Sequence, residues 1–391
     1  MKQPWVHSPL IDGIFIIGSP FLIVAAALLL PASFGEPDSM TVVSWALLVM
    51  GVDVSHVYST LYRTYLDPET HRDHRLFLYL LPFVVFVACM ALYSLGALVF
   101  WRVMAYLAVF HFARQQFGFM RVYARGEMQG PWLRRLDALA IYTATFYPIA
   151  DWHLSGPKNF NWFMKGDFWY VGCGDLLVRP ASGLCLQSGV ELLRNVLFFF
   201  YIGILLVYAG KEVFRCWKSG SWNIPKNGIL AGTVLSWYVG IVHFNSDLAF
   251  TAINVVAHGV PYMALVWIYG RKKYKEGTQY ESRWAWVFRP RYVAFFVASL
   301  LILAYFEEGL WNIWVWHDKE HAGLFTAFHT TLGELNAGSP WLRIIVPLLS
   351  VPQITHYVID GFIWKVRKDK YAWRDITLSA TALPKTTAET V

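Results

Sequence analysis

Long apolar blocks recur along this chain, each about 20 residues of mostly Leu, Ile, Val, Phe and Ala, separated by short polar segments. A helix rises about 1.5 Å per residue, so about 20 apolar residues cross the roughly 30 Å hydrocarbon core of a bilayer. Ten such blocks are predicted: near residues 13–31, 40–62, 76–94, 98–122, 136–152, 190–210, 227–243, 247–269, 291–314 and 341–365. The pattern predicts an all-α fold: a polytopic integral membrane helix bundle of about ten transmembrane helices. Residues 1–375 read as one transmembrane domain. Residues 376–391, small and polar, read as a disordered C-terminal tail. Lys2 is the only early cation ahead of the first block, which is long enough to span, so it reads as a retained helix rather than a cleavable signal.

Composition agrees. The 391 residues are 56% hydrophobic and 15% charged, against about 25% charged in a soluble domain, and the mean hydropathy is +0.40. The 19 Trp and 21 Tyr fit the enrichment of these residues at bilayer interfaces.

The net charge of +7 raises the question of nucleic acid, but the distribution of cations answers it differently. Arg63, Arg72 and Arg75 follow the second block, and Arg121, Arg125, Arg134 and Arg135 follow the fourth. Lys211, Arg215, Lys218 and Lys226 follow the sixth, RKKYKEGTQYESR the eighth, and Lys365, Arg367 and Lys368 the tenth. The alternate loops are poor in cations. By the positive-inside rule both termini are cytoplasmic. The expected partners are membrane lipids and no nucleic acid, and the expected location is a bacterial inner membrane. Of the four cysteines, none forms a CxxC pair, and Cys173 and Cys185 share one loop where a disulfide is one expectation and free thiols the other.

Ionisable groups inside apolar blocks are costly, at least about 2.5–3.5 kcal/mol each, and mark candidate function. Asp53 and His56 lie in the second block, and His111 with Gln115 and Gln116 in the fourth. Asn254 and His258 lie in the eighth, and His356 and Asp360 in the tenth, within ITHYVIDGFIWKVRK. Spacings of three or four place each polar pair on one helix face. Counted from the cytoplasmic ends, the four histidines fall within about one and a half helical turns of a common depth. This predicts one buried site. Imidazoles with carboxylates and no thiolate suit iron, mononuclear or di-iron, or another transition metal. The expected metal set is His56, His111, His258 and His356, with Asp53 and Asp360 as further ligands or as acceptors of a free ring N–H. Gln115 and Asn254 are the candidates for hydrogen bonding a bound water, oxygen species or substrate. For any single residue, a satisfied core histidine is the plainer reading; the matched depth of four favours the site.

Two other groups stand out. His71 and His74 in THRDHR have an HxxH spacing that resembles the histidine boxes of membrane desaturases and hydroxylases, though a solvated loop explains them as well. Asp151, His153, His243, His317, His321 and His329, with Glu307 and Glu308 slightly deeper, gather at the opposite side. HxxxH in HDKEH would be a bidentate pair on a helix. In general design the chain resembles the Brp/Blh carotenoid-cleaving oxygenases, which also place histidines on several helices around one iron. That likeness is architectural and carries no residue across.

The expected function is a membrane-embedded, metal-dependent oxidoreductase of the non-haem iron oxygenase, desaturase or hydroxylase type. Its substrate is lipophilic, such as a fatty acyl chain, isoprenoid or hydrocarbon, with electrons from a transfer partner where the reaction needs them. The alternatives are a proton-coupled transporter using buried His/Asp pairs as a relay, and a haem-binding or structural membrane subunit.

Overall fold

The computed structural model describes residues 3–35, 40–127, 129–156, 160–171, 187–244, 246–275, 280–336 and 338–364. Among these the chain is helical throughout, with no strand. Its body is built from α1 (Pro9–Leu29), α2 (Val42–Arg63), α3 (Arg75–Ser94) and α4 (Ala97–Tyr123). There follow α5 (Pro131–Leu154), α6 (Gln187–Ser219), and α7 (Ile224–Trp237), which runs on as a π-helical turn to His243. The series ends with α8 (Asp247–Lys273), α9 (Pro290–Trp316) and α10 (Leu342–Ile363).

Eight of these, all but α5 and α7, are long and apolar enough to cross a membrane, so the protein is a multi-pass membrane protein. The other two expected spans are helices in the expected places, but less apolar. Arg134, Arg135, Asp137 and Asp151 lie within α5, and Lys226 and Asn227 open α7. The expected tail at 376–391 and the Cys173–Cys185 pairing lie outside the described residues; Cys89 and Cys216 are free thiols.

α8 is the axis of the bundle. Two thirds (67%) of its apolar stretch is buried, against 6% for α6, which leans on α5 and turns its Leu and Phe side chains outward. α8 packs on α1, α2 and α7, while α10 packs on α2, α3 and α4. Helix ends follow their sequence signals. Ser246 caps α8 by accepting from the Ala249 N–H, Thr41 and Ser44 form a capping box on α2, and Arg271, Lys272 and Lys273 close α8 where the helix dipole favours cations.

The cations expected to mark the cytoplasmic loops include several that are buried. Lys226, fully enclosed, donates to Glu127 at 2.9 Å and to Glu212 at 2.5 Å. Lys211 pairs with Asp137 and with Glu212. Lys273 sits on Asp67 at 2.8 Å and on Glu69 at 3.1 Å. These pairs tie the segment after α4 to α5, α6 and α7 at one end of the bundle, and α8 to the segment after α2, so charge here serves packing. Removing one partner strands a buried charge, at a cost of about 3–5 kcal/mol. Lys226→Met is therefore expected to lower stability by that amount, read as a fall in the midpoint of thermal unfolding in detergent.

Candidate metal centre

His56 on α2, His111 on α4, His258 on α8 and His356 on α10 are each at most 4% exposed. The structure brings them together. Each offers one ring nitrogen, and the four nitrogens lie within 4.8 Å of one another. Nε2 of His56 and Nε2 of His258 are 3.1 Å apart. With metal–nitrogen bonds of about 2.1 Å, neighbouring ligands at right angles stand about 3.0 Å apart and opposite ones about 4.2 Å. The cluster therefore has nearly the dimensions of a single ion's ligand set, which its widest pair reaches by closing about 0.6 Å. Nε2 of His111 and Nε2 of His356 have no hydrogen-bond partner although both are buried. Leaving such groups unmade costs about 1–3 kcal/mol each, and an ion held between them would satisfy both. Among the described residues no other group of His, Cys, Asp and Glu has this geometry.

Local sequence explains the convergence. α8 can approach α2 so closely because residue 259 is glycine: a Cβ there would stand 2.7 Å from Val52 Cγ1 and 3.1 Å from the Val52 carbonyl oxygen. That contact is one residue from His258 and faces the turn before His56. Residues Ala46–Val54 of α2 are wound as a π-helix, with Ser55 Oγ donating back to the Met50 carbonyl at 2.8 Å. Such bulges re-aim the side chains that follow them. Pro261 has no N–H for the carbonyl of Ala257, four residues earlier. Gln116 of α4 supplies that bond at 3.0 Å, and Gln115 donates to the neighbouring His258 carbonyl at 2.8 Å. Phe112 stacks on the His258 ring at 3.9 Å and Tyr357 on the His111 ring at 4.3 Å, which fixes both imidazole planes.

With Asp360 ionised, a hydrogen-bonded chain sets the proton on His356. Tyr262 donates its hydroxyl to the Asp360 carboxylate at 2.5 Å. Its only hydrogen is thereby used, so the 2.9 Å contact with Thr60 has Thr60 as donor. The one hydrogen of Thr60 is then also used, so Nδ1 of His356, 2.7 Å from Thr60 Oγ1, carries its own and donates it. Nε2 of His356 keeps its lone pair for the centre. Metal-binding histidines generally pass their second N–H towards a carboxylate, and here two hydroxyls bridge the distance.

Asp360 and Asp53 do not join the four converging nitrogens. Asp360 stands 3.8 Å from His111 Nε2 and 3.7 Å from His356 Nδ1, and Asp53 stands 3.7 Å from His56 Nδ1. These separations exceed a hydrogen bond. Glu307, bonded to Tyr58 at 2.5 Å and to Trp311 at 3.3 Å, extends the acidic side of the site near Asp53, with Glu308 beside it. Gln115 and Asn254 spend their amide N–H groups on the backbone, Gln115 on His258 and Asn254 on the Phe250 carbonyl at 3.0 Å. Their carbonyl oxygens, Oε1 and Oδ1, are buried and unbonded, so each faces the interior as an acceptor.

The remaining histidines are dispersed. His71 bonds Tyr79 at 3.1 Å, and His74 is exposed. His153 bonds Tyr106 and the Trp169 carbonyl. His317 sits in the left-handed region (φ 52°) and ends the helix, so HDKEH is a turn rather than the helical HxxxH pair expected. His321 is held by Asp318 at 2.6 Å, and His329 by Glu334 and Asn312. His243 lies at the exposed end of the turn after α7.

Thr60, Tyr262 and Gly259 escaped the sequence reading, yet a signal was present. Thr60, Gln115, Tyr262 and Asp360 each lie four residues after one of the four histidines, so one helical turn builds a second polar layer under the first. Thr60→Val breaks the chain to Asp360 and is expected to weaken Co(II) binding by about 10–100-fold, read by titrating Co(II) absorbance. Gly259→Ala separates α2 from α8; a loss of Co(II) affinity of at least about tenfold is expected, with the helical circular dichroism unchanged. No protein-family model, curated protein or solved structure matches the chain.

Proposed function

We propose that the protein is a membrane-embedded non-haem metalloenzyme, with His56, His111, His258 and His356 as ligands of one iron ion and a lipophilic molecule as substrate. The observation that carries this reading is the convergence of four buried imidazole nitrogens within 4.8 Å, without a thiolate. Neutral imidazole favours borderline transition metals, and iron among them activates O₂. Four nitrogens so close to one point leave no room for a porphyrin between opposed axial histidines, which counts against haem. The polar residues bunch at one level instead of lining a path across the bilayer, which counts against a carrier.

Within this reading the chain's own residues have distinct tasks. Thr60, Tyr262 and Asp360 hold the His356 ring and its proton. Phe112 and Tyr357 hold the planes of His258 and His111. Gln115 Oε1 and Asn254 Oδ1 are acceptors for a water or for a donor group on the substrate. Apolar walls exclude bulk water and make a lipid-dissolved substrate the natural visitor. Hydroxylation or desaturation draws two electrons from a partner, whereas dioxygenation draws none.

The reading also places both termini on the cytoplasmic side. Eight crossings or ten are both even, so the termini share a side, and the cation-rich segments after α2, α4 and α8, which face one side on either count, assign that side as cytoplasmic. A bacterial inner membrane suits this arrangement.

Elemental analysis of detergent-purified protein is expected to find iron near one atom per chain. His258→Ala or His356→Ala, each removing a ligand, is expected to lower it at least about tenfold while the helical spectrum persists. Wild-type protein with intact helices and no retained transition metal after reconstitution would refute the assignment.

A further inference from the structure

Tyr65 lines two cavities. The smaller, about 200 Å³, is a slot between α2, α3 and α10 whose wall includes His356 and Thr60. Its outer rim, at Leu61, Pro82 and Pro352, is half-exposed, and its floor, at Val57, Thr355 and Ile359, is buried. Pro82 lies inside α3, where the missing N–H and the ring bend the helix beside the opening. Thr355 is 94% buried, and its hydroxyl has no partner. A slot of apolar walls ending beside the imidazole cluster fits a hydrocarbon chain.

The larger cavity, about 940 Å³, lies at the end of the bundle where α2 and α8 terminate. Tyr65 lines it as well as the slot. Among the described residues its wall is polar and aromatic, with Lys275, Arg283 and His71 against one carboxylate, Glu281. Tyr65 itself is fixed by donating to the Leu78 carbonyl at 2.6 Å, so the junction has a rigid post. An apolar slot and a basin that share Tyr65, the basin carrying more cationic than anionic groups among its described residues, are together complementary to one molecule with two ends.

We propose that the substrate is an amphiphile, with its hydrocarbon chain in the slot beside His356 and an anionic head, carboxylate or phosphate, in the basin with Lys275 and Arg283. This rests on the imidazole cluster being the reaction centre, and it narrows the substrate from any lipophile to a chain with a charged end. The head, held at the membrane face, sets which carbons of the chain reach the centre.

The test uses full-length protein in detergent and two probes: cis-parinaric acid, a fluorescent conjugated C18 acid, and its methyl ester. The acid is expected to bind at least about tenfold more tightly than the ester, because charge-assisted contacts are worth a factor of this order. Arg283→Gln with Lys275→Gln is expected to erase that preference while the ester still binds. Val57→Phe fills the slot and is expected to weaken both probes at least tenfold. Thr355→Leu, a milder filling that keeps the volume of the fold, is expected to weaken both in the same direction. An anionic phosphate counterpart, a C16 alkyl phosphate competing for the acid, tests the second head chemistry and is expected to displace it. Equal binding of acid and ester to the wild type, or unchanged binding in both slot variants with unaltered thermal unfolding, overturns the proposal. Bound metal is measured on the same samples. Acid-selective binding in a protein that holds no metal supports the amphiphile site and refutes the metal reading instead.

Discussion

The contact between Gly259 and Val52 governs the geometry on which everything else in the site depends. In hydrocarbon no water completes a half-made polar contact, so the protein must satisfy its buried groups by bringing them together. Nothing larger than hydrogen fits between α2 and α8 at this point. Because it fits, Nε2 of His56 and Nε2 of His258 stand 3.1 Å apart. Once that pair is set, α4 and α10 need only close the remaining two sides. α4 is held to the axis helix by Gln115 and Gln116, and α10 is held through the Thr60–Tyr262–Asp360 chain.

The kink at Pro261 belongs to the same device. A proline inside a membrane helix frees a carbonyl that lipid cannot satisfy. Gln116 satisfies it and thereby binds α4 to α8 at the level of the histidines. A backbone defect thus becomes an interhelical bond, and the register of His111 against His258 follows from it. The two layers, imidazoles above and hydroxyl, amide and carboxylate groups one turn below, come from one repeated spacing of four residues on four helices.

Much of this was legible in the sequence. Apolar block length gave the positions of the helices, because span length is fixed by the bilayer and by the helical rise. The common depth of His56, His111, His258 and His356 followed from counting along those blocks. What the sequence could not express was lateral geometry. Whether Asp360 touches the centre or stands behind it depends on Thr60 and Tyr262, residues that lie 296 and 98 positions from the groups they bond. Gln115 read as a hydrogen-bonding partner for a bound water or substrate because nothing in a linear reading shows that its amide N–H is taken by the His258 carbonyl on another helix. HDKEH had helical spacing, but His317 takes a left-handed conformation and breaks the helix there. α5 and α7 were placed correctly as helices, yet their buried ion pairs make them less apolar than a span in contact with lipid.

The stand-off of the two aspartates has a physical logic on the proposed reading. Four neutral imidazoles leave a divalent ion with its full charge, which is expensive to hold in a medium of low dielectric. Direct carboxylate ligands would cancel that charge but would also lower the ion's power to polarise a bound molecule and occupy positions around it. Asp53 and Asp360, at 3.7–3.8 Å from ring nitrogens of His56, His111 and His356, place two carboxyl groups just outside the ligand set, where a bound cation would favour their ionised form. The field of the ion is balanced over the site as a whole while its immediate surroundings stay neutral. Asp360 can do this only because Tyr262 donates to it and fixes where its charge lies. The same tyrosine, through Thr60, settles the proton on His356, so charge balance and ligand tautomer are set by one hydrogen-bonded chain.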